Sequence, residues 1–154
     1  MADVYGTTQT FDDAKDKLYN LLGLLKTAMS SGYDPTFSYL YNCHTPGKIE
    51  LNAVTIEFEG ATKAVIGGGS APVMAYQMEF SIRVHTGYVG GFNDNVVNTQ
   101  LLNSIDNYLS AHLDLGDAYW ISKDAEFSGN ESFEATVGAQ MTIYVIKQID
   151  HIQS

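Results

Sequence analysis

The stretch from Met74 to His85 has an apolar residue at every even-numbered position. These apolar residues are Met74, Tyr76, Met78, Phe80, Ile82 and Val84, and the odd-numbered positions from 77 to 85 carry the polar residues Gln77, Glu79, Ser81, Arg83 and His85. Because successive side chains of a strand point to opposite sheet faces, the pattern predicts a half-buried β-strand. At about 3.3 Å per residue it would be about 40 Å long. We expect a strand of this length to lie centrally and to extend past the compact body.

Two amphipathic helices are predicted from apolar residues that recur at helical spacing. The first covers residues 11–29 and is followed by a Ser-Ser-Gly sequence at 30–32. The second covers residues 97–113, after N-cap candidates in the Asn-Asp-Asn sequence at 93–95. Each helix therefore has one apolar face that must be buried against another element.

Four further strands are predicted from shorter alternating patterns, at residues 37–41, 54–58, 118–127 and 133–145. A polar turn at 128–130 separates the last two strands. Residues 60–72 contain three consecutive glycines and are predicted to form a long, flexible hairpin loop. Residues 1–9 are predicted to be a loose arm.

The predicted element order is therefore α-β-β-β-α-β-β. Since most strands follow one another directly, we expect a largely antiparallel sheet with the two helices packed on its apolar face, which is an α+β fold. The length of 154 residues and the absence of repeats or linkers favour a single domain over 1–154.

Composition limits the classes of function. The net charge of −10, with only eight basic residues, disfavours a nucleic-acid-binding surface. An ordinary solvated acidic surface is the simplest interpretation, and the alternative is a protein past which DNA can move without adhering. Cys43 is the single cysteine, so we expect folding in a reducing compartment without an intrachain disulfide. The first residues lack a basic start and an apolar run, and no run reaches the roughly 20 apolar residues that a bilayer requires.

Three local sequences resemble chemical motifs but lack essential parts. Cys43 and His44 are adjacent, yet no further ligand or orienting group stands at a metal-site or nucleophile spacing. The Pro-Gly-Lys sequence at 46–48 lacks the upstream glycine of a phosphate loop. The glycines at 67–69 are not followed by a helix that would bind an anion. We therefore predict no metal site, no cofactor and no catalytic residue.

Glu79, Arg83 and His85 lie on one polar strand face and are the strongest catalytic alternative. Together with Tyr76 or Trp120 they would form a small-ligand-binding or catalytic site if a pocket brought them together. A solvated or subunit-facing surface is the simpler interpretation of this row. His112 falls on the apolar stripe of the second helix, where a partly buried histidine is expected. The tyrosines and Trp120 fit protein–protein contacts better than base stacking, because basic residues are not interleaved with them.

The whole pattern resembles the tail terminator and tail-completion proteins of tailed bacteriophages. The resemblance rests on the N-terminal helix, the strand pair around the Gly-rich segment 60–72, and the sequence Phe-Ser-Ile-Arg-Val-His-Thr-Gly at 80–87. It also includes the second helix with Leu-Leu-Asn-Ser-Ile at 101–105 and the closing hairpin through Val145. It is a similarity of element order over nearly the full chain, without a diagnostic motif.

The resemblance implies a structural virion protein that is assembled in the host cytoplasm and has no enzymatic activity. Tail terminators form a ring, commonly a hexamer, that caps the tail tube and joins it to the head-side connector, while DNA passes through the ring without specific binding. The chain's partners would then be other copies of itself, the tube protein and the connector or stopper protein. Residues predicted for the interfaces are Ala64, Val65, Ile66, Gly67, Gly68, Gly69, Glu79, Arg83, Tyr88, Val89 and Phe92.

Other functions stay open at this point. The chain could be a tail-tube, stopper or other neck protein of the same assembly. It could also be a bacterial adaptor with an unrelated partner, or the small-ligand domain described above.

Overall fold

A computed structural model describes residues 10–29, 35–66 and 73–149 of the chain. The described part contains two helices and six strands. In chain order these are α1 (Thr10–Met29), β1 (Tyr39–Tyr41), β2 (Ala53–Ile66), β3 (Val73–Tyr88), α2 (Asn95–Ser110), β4 (Asp114–Gly116), β5 (Tyr119–Ser132) and β6 (Thr136–Gln148). The predicted α+β class is confirmed.

The six strands form one mixed sheet in the order β1-β2-β3-β6-β5-β4. β1 pairs with β2 in parallel, while the other neighbouring strands pair antiparallel. β3 lies between β2 and β6 and pairs with both along nearly its whole length. The long alternating strand is therefore central, as its pattern predicted.

The hydrophobic core lies between the two helices and the face of β3 that carries its even-numbered residues. Met78, Phe80, Ile82 and Val84 are fully buried there. The helix residues of the same cluster are Ala14, Leu18, Leu22, Leu25, Met29, Leu101, Leu102, Ile105 and Leu109. Fully burying one such side chain contributes about 1.5–3 kcal/mol, so this shared core holds both helices on the sheet. Neither described helix is both long and apolar enough to span a bilayer.

The prediction of a hairpin loop over residues 60–72 is wrong for residues 60–66, which belong to β2. β2 does not end at Gly60 but continues to Ile66, and the register with β3 shifts between Phe58 and Gly60. Gly60 has a φ of 155°, which is allowed for glycine and rare for other residues, so it forms part of a β-bulge instead of a strand end. Residues 67–72 and the predicted arm at 1–9 lie outside the described residues.

Three boundaries near the C-terminal half also differ from the predictions. α2 ends at Ser110, and the predicted continuation to residue 113 is wrong. The short strand β4 and its tight turn to β5 were not predicted. The predicted turn at 128–130 is part of β5, where a register shift lies between Ser128 and Glu131. The polar residues there mark a bulge in a continuous strand.

Candidate functional site

The polar face of the β2–β3 hairpin is partly covered by the loop 42–50 that follows β1. The loop is attached by the Tyr41 hydroxyl, which accepts from the backbone N–H of Glu50 at 3.2 Å, and by Ile49, whose carbonyl accepts from Tyr88. Five polar side chains beneath or beside it are at most 5% exposed: His44, Thr55, Ser81, His85 and Thr136. A buried polar cluster therefore replaces the open polar surface that strand alternation suggests.

One half of this cluster is centred on His85. Its Nδ1 lies 2.6 Å from the Thr136 hydroxyl oxygen on β6, and its Nε2 lies 2.7 Å from the Thr55 hydroxyl oxygen on β2. The ring also contacts Phe133, with 5.0 Å between ring centroids. His85 thus connects the three central strands of the sheet through its side chain.

The other half is centred on His44 from the covering loop. Its Nδ1 lies 2.8 Å from the Thr55 hydroxyl oxygen, and its Nε2 lies 2.5 Å from the Ser81 hydroxyl oxygen. The Ser81 hydroxyl in turn donates to Glu59 Oε2 at 2.5 Å. The two halves share Thr55, so one continuous series of five hydrogen bonds runs from Thr136 to Glu59. We call this series the histidine network.

The direction of these hydrogen bonds follows from the number of hydrogens available. An ionised Glu59 can only accept, so the single Ser81 hydrogen is donated to it, and His44 Nε2 must supply the hydrogen to Ser81. A neutral His44 then accepts at Nδ1 from the Thr55 hydroxyl. Thr55 has no further hydrogen, so His85 donates to it from Nε2. Both imidazoles are therefore assigned as Nε2–H tautomers.

Burial keeps both histidines neutral. Desolvation is the main cause that lowers the pKa of His44 to about 3, with smaller contributions from the positive charges of Arg83 and Lys15. Desolvation is likewise the main cause that lowers the pKa of His85 to about 3, with smaller contributions from His44 and Arg83. At neutral pH both imidazole rings of the network are therefore uncharged, and the series of hydrogen bonds ends at the Glu59 carboxylate.

Two carboxylates of β2 approach His44. The backbone N–H of His44 donates to Glu57 Oε1 at 3.2 Å, and His44 Nε2 lies 3.8 Å from Glu59 Oε2. Glu59 faces Ser81 because the bulge at Phe58–Gly60 leaves it without a paired residue on β3. One ligand atom from each of His44, Glu57 and Glu59 lies within 4.8 Å of the others, a grouping that could hold a metal ion.

A cavity of 370 Å³ lies on the other side of His85, between the covering loop and the β3 and β6 ends. Arg83 borders it, donates from Nε to Gln140 at 2.9 Å and lies over the Phe133 ring at 4.5 Å. The remaining lining residues are His44, Thr45, Gly47, Lys48, Ile49, His85, Tyr88, Glu134, Ala135 and Thr136. The cavity is small and carries two cationic side chains.

The structure brings together only part of the predicted catalytic alternative. Arg83 and His85 both line the cavity, whereas Glu79 is exposed on β3 outside it. Tyr76 packs on the opposite face of the strand against Phe11, with 5.4 Å between ring centroids. Trp120 on β5 pairs with Ile146 on β6 and does not line the cavity. These five side chains thus do not form one site.

The residues predicted for partner interfaces fall in two regions at the two ends of β3. Ala64 and Val65 are exposed near the end of β2, while the Ile66 side chain and the glycines at 67–69 lie outside what the structure describes. Tyr88, Val89 and Phe92 are exposed at the opposite end, after β3. Glu79 is exposed between these regions and Arg83 is half-buried.

Sequence reasoning overlooked most of the histidine network. His44 was expected to be an ordinary loop histidine, although it is buried, and His112 was expected on a buried stripe, although it is exposed. The sequence nevertheless contained a signal for part of the network. Thr55 and Glu57 lie on one face of β2, and Ser81 and His85 lie on the matching face of the neighbouring strand β3. Pairing the two polar faces across the hairpin would have predicted that Thr55, Ser81 and His85 lie close together, but not that His44 joins them.

Comparison of the chain with known proteins gave no family model that matches it and no match among curated proteins.

Proposed function

We propose that this chain is a ring-forming structural protein of a bacteriophage tail, a terminator that caps the tail tube and joins it to the head-side connector. The observation that carries the proposal is the presence of two different groups of exposed apolar side chains at opposite ends of the central strand. The resemblance of the element order to tail terminators supplies the type of assembly. A tail-tube or stopper protein would use surfaces of the same kind.

The first apolar group, the hairpin end, comprises Val65 on β2 and Met74 on β3. Val65 is 56% exposed and pairs directly with Met74, which is 38% exposed. Lys63 is also exposed here and extends over the Tyr76 ring, with its Nζ 5.9 Å from the centroid. The hairpin end thus presents an apolar surface that the described part of the chain does not cover.

The second apolar group, the turn end, comprises Tyr88, Val89, Phe92 and Val96. Phe92 is 83% exposed, and the other three are between 47% and 62% exposed. Single exposed apolar residues are ordinary, but several large ones in one short segment are typical of a protein-interaction surface. Phe92 is the residue whose burial in an assembly would remove the most apolar surface from water.

The positions of the two groups favour a ring over a two-fold dimer. Met74 and Tyr88 are fourteen residues apart on β3, which corresponds to about 46 Å along the strand. Two different surfaces on opposite ends can associate head to tail, and such a heterologous contact closes into a ring when the rotation between neighbours permits. The net charge of −10 suits a ring through which DNA passes without adhering.

The proposal is tested by the assembly state of the purified chain and by its binding to tail tubes. We expect closed rings at micromolar concentration in sedimentation velocity and negative-stain microscopy, or rings formed on purified tail tubes. Phe92→Ser and Val65→Ser should each abolish assembly while the far-UV circular dichroism spectrum stays unchanged. Leu24→Ser is the matched control, because Leu24 is 63% exposed on α1, outside both groups.

Two outcomes would reject the proposal. One is a chain that stays monomeric and also fails to bind tail tubes. The other is assembly that Leu24→Ser disrupts as strongly as Phe92→Ser does. Binding to the tube end, its side or the connector would separate a terminator from a tube or stopper protein.

A further inference from the structure

We propose that His44, Glu57 and Glu59 form a binding site for a divalent transition metal ion such as Zn²⁺, and that the metal reverses the direction of the histidine network. The site lies on the sheet face opposite the helices and belongs to neither of the apolar ends. One imidazole and two carboxylates are a ligand set that Zn²⁺ accepts, and three protein ligands leave a fourth position open.

The distances are close to those that a bound ion requires. Ligand atoms 2.0–2.2 Å from a tetrahedral Zn²⁺ lie about 3.4 Å from each other. His44 Nε2 and Glu59 Oε2 are 3.8 Å apart, and the Glu57 carboxylate completes a group within 4.8 Å. Shifts of a few tenths of an ångström in the half-buried Glu57 and the exposed Glu59 would bring the carboxylates to these distances, while the Ser81 hydroxyl, 2.5 Å from His44 Nε2, would have to rotate aside to admit the ion.

The surrounding contacts hold the ligands in place before any ion binds. Glu57 is held by the His44 backbone N–H, and Glu59 is held by the Ser81 hydroxyl. Arg83 is the nearest cation on the same strand face, but its guanidinium is engaged by Gln140 on β6. Two carboxylates near one imidazole offset much of the positive charge of a divalent ion.

Metal binding at His44 Nε2 requires that this nitrogen lose its hydrogen and its hydrogen bond to Ser81. The hydrogen then resides on Nδ1, where it is donated to the Thr55 hydroxyl oxygen. Thr55 must turn its own hydrogen to His85 Nε2, and His85 must carry its hydrogen on Nδ1. The Nδ1–H of His85 is donated to Thr136, whose hydroxyl hydrogen is free to turn toward the adjacent cavity.

The number of protons in the network does not change during this reversal. Both rings stay neutral and only exchange one tautomer for the other, and Ser81 loses the hydrogen bond from His44 but keeps its own hydrogen. His85 therefore reports on a metal ion that it does not touch.

The test is a two-bond ¹H–¹⁵N spectrum of the histidine rings, recorded on the full chain with and without one equivalent of Zn²⁺. We expect Nε2–H tautomers for His44 and His85 without metal, and Nδ1–H tautomers for both with Zn²⁺. Isothermal titration calorimetry should give a stoichiometry of one. Glu59→Gln should weaken Zn²⁺ binding by about tenfold or more, since even changes to outer-shell groups cost 10–100-fold.

Glu79→Gln is the matched control, because Glu79 is an exposed carboxylate of β3 outside the cluster. This variant should keep both the affinity and the change of tautomers. The metal site is rejected if Zn²⁺ leaves the His44 ring signals unchanged or if Glu79→Gln weakens binding as much as Glu59→Gln does. The reversal is rejected if His44 binds the ion and His85 keeps its Nε2–H tautomer.

Discussion

Lowering the pH from 7 to 5 is expected to destabilise the folded chain through its two buried histidines. In the folded state the pKa of His44 and that of His85 are each lowered to about 3, from an ordinary value of 6.5. A histidine with a depressed folded-state pKa contributes its full stabilisation above the unfolded pKa and loses it as the pH falls from about 6.5 to about 3. Stability should therefore decrease with acidification within this range.

The magnitude follows from the protonation of the unfolded chain. At pH 5 an unfolded histidine is more than about 90% protonated, whereas the two buried rings stay neutral. Relative to pH 7, this favours the unfolded state by about 25-fold, or about 2 kcal/mol, for each histidine. His44 and His85 together should lower the free energy of unfolding by about 4 kcal/mol, a large part of the 5–15 kcal/mol that is typical of a domain.

The assay is urea unfolding at pH 7 and pH 5, followed by the fluorescence of Trp120 at low protein concentration. His44→Gln should reduce the difference between the two pH values by about 2 kcal/mol. The comparison is made within each variant, so the variant's own loss of stability does not enter. His112→Gln is the control and should keep the full difference, since His112 is exposed.

Carboxylates also titrate near pH 5, so the decrease in the parent chain alone would not identify the histidines. The change caused by His44→Gln isolates one of them. The reasoning is refuted if His44→Gln and the parent lose the same free energy between pH 7 and pH 5. A loss in the parent below about 1 kcal/mol would contradict it equally, because two neutral buried rings require more than that.

Three further substitutions test the fold. Gly138→Ala should destabilise the chain by about 3 kcal/mol or more, measured by urea unfolding, because its Cβ would lie 1.8 Å from the Val84 carbonyl oxygen; Gly129→Ala, with no contact nearer than 3.8 Å, should have little effect. Ile82→Ala should cost about 2–5 kcal/mol in the same assay, since the side chain is fully buried in the core. Asp94→Ala should cost about 1 kcal/mol and lower the helical signal in circular dichroism, because the Asp94 carboxylate caps α2; an unchanged signal and stability would contradict this role.

The elements that the sequence predicted well are those in which one periodic pattern is enforced by burial. β3 alternates because its even-numbered side chains pack against both helices while its odd-numbered ones do not. α1 likewise places Ala14, Leu18 and Leu22 on one stripe that faces the sheet. In such elements the local pattern and the tertiary packing require the same residues, so the pattern alone is sufficient to predict the element.

The elements that were predicted wrongly depend on backbone geometry that residue type does not announce. Gly60 resembles a strand end but allows a bulge within β2. The turn between β4 and β5 places Asp117 and Ala118 at positive φ, where Asn-Gly would have given a recognisable signal. Burial of His44 depends on how the loop 42–50 folds back over the sheet, and alternation within single strands contains no information about that contact.

Val65 of the hairpin end and two of the proposed metal ligands, Glu57 and Glu59, occupy different parts of β2, and this separation gives a last prediction. Val65 lies beyond the bulge, whereas Glu57 lies before it, under the covering loop. We expect Val65→Ser to abolish ring assembly and to retain the Zn²⁺-dependent change of tautomers at His85. Glu57→Gln should lose the change of tautomers and still assemble.

Both properties can be measured on the same samples, by sedimentation velocity for assembly and by the histidine ring spectrum for the network. Because β3 joins the hairpin end to the histidine network, a change in the hairpin that altered the whole strand would affect both assembly and the change of tautomers. Independent losses in the two variants would show that the sheet is rigid enough to isolate its ends from the buried network. Loss of both properties in Val65→Ser, with an unchanged circular dichroism spectrum, would contradict this independence and would instead mean that assembly and the histidine network are coupled through β3.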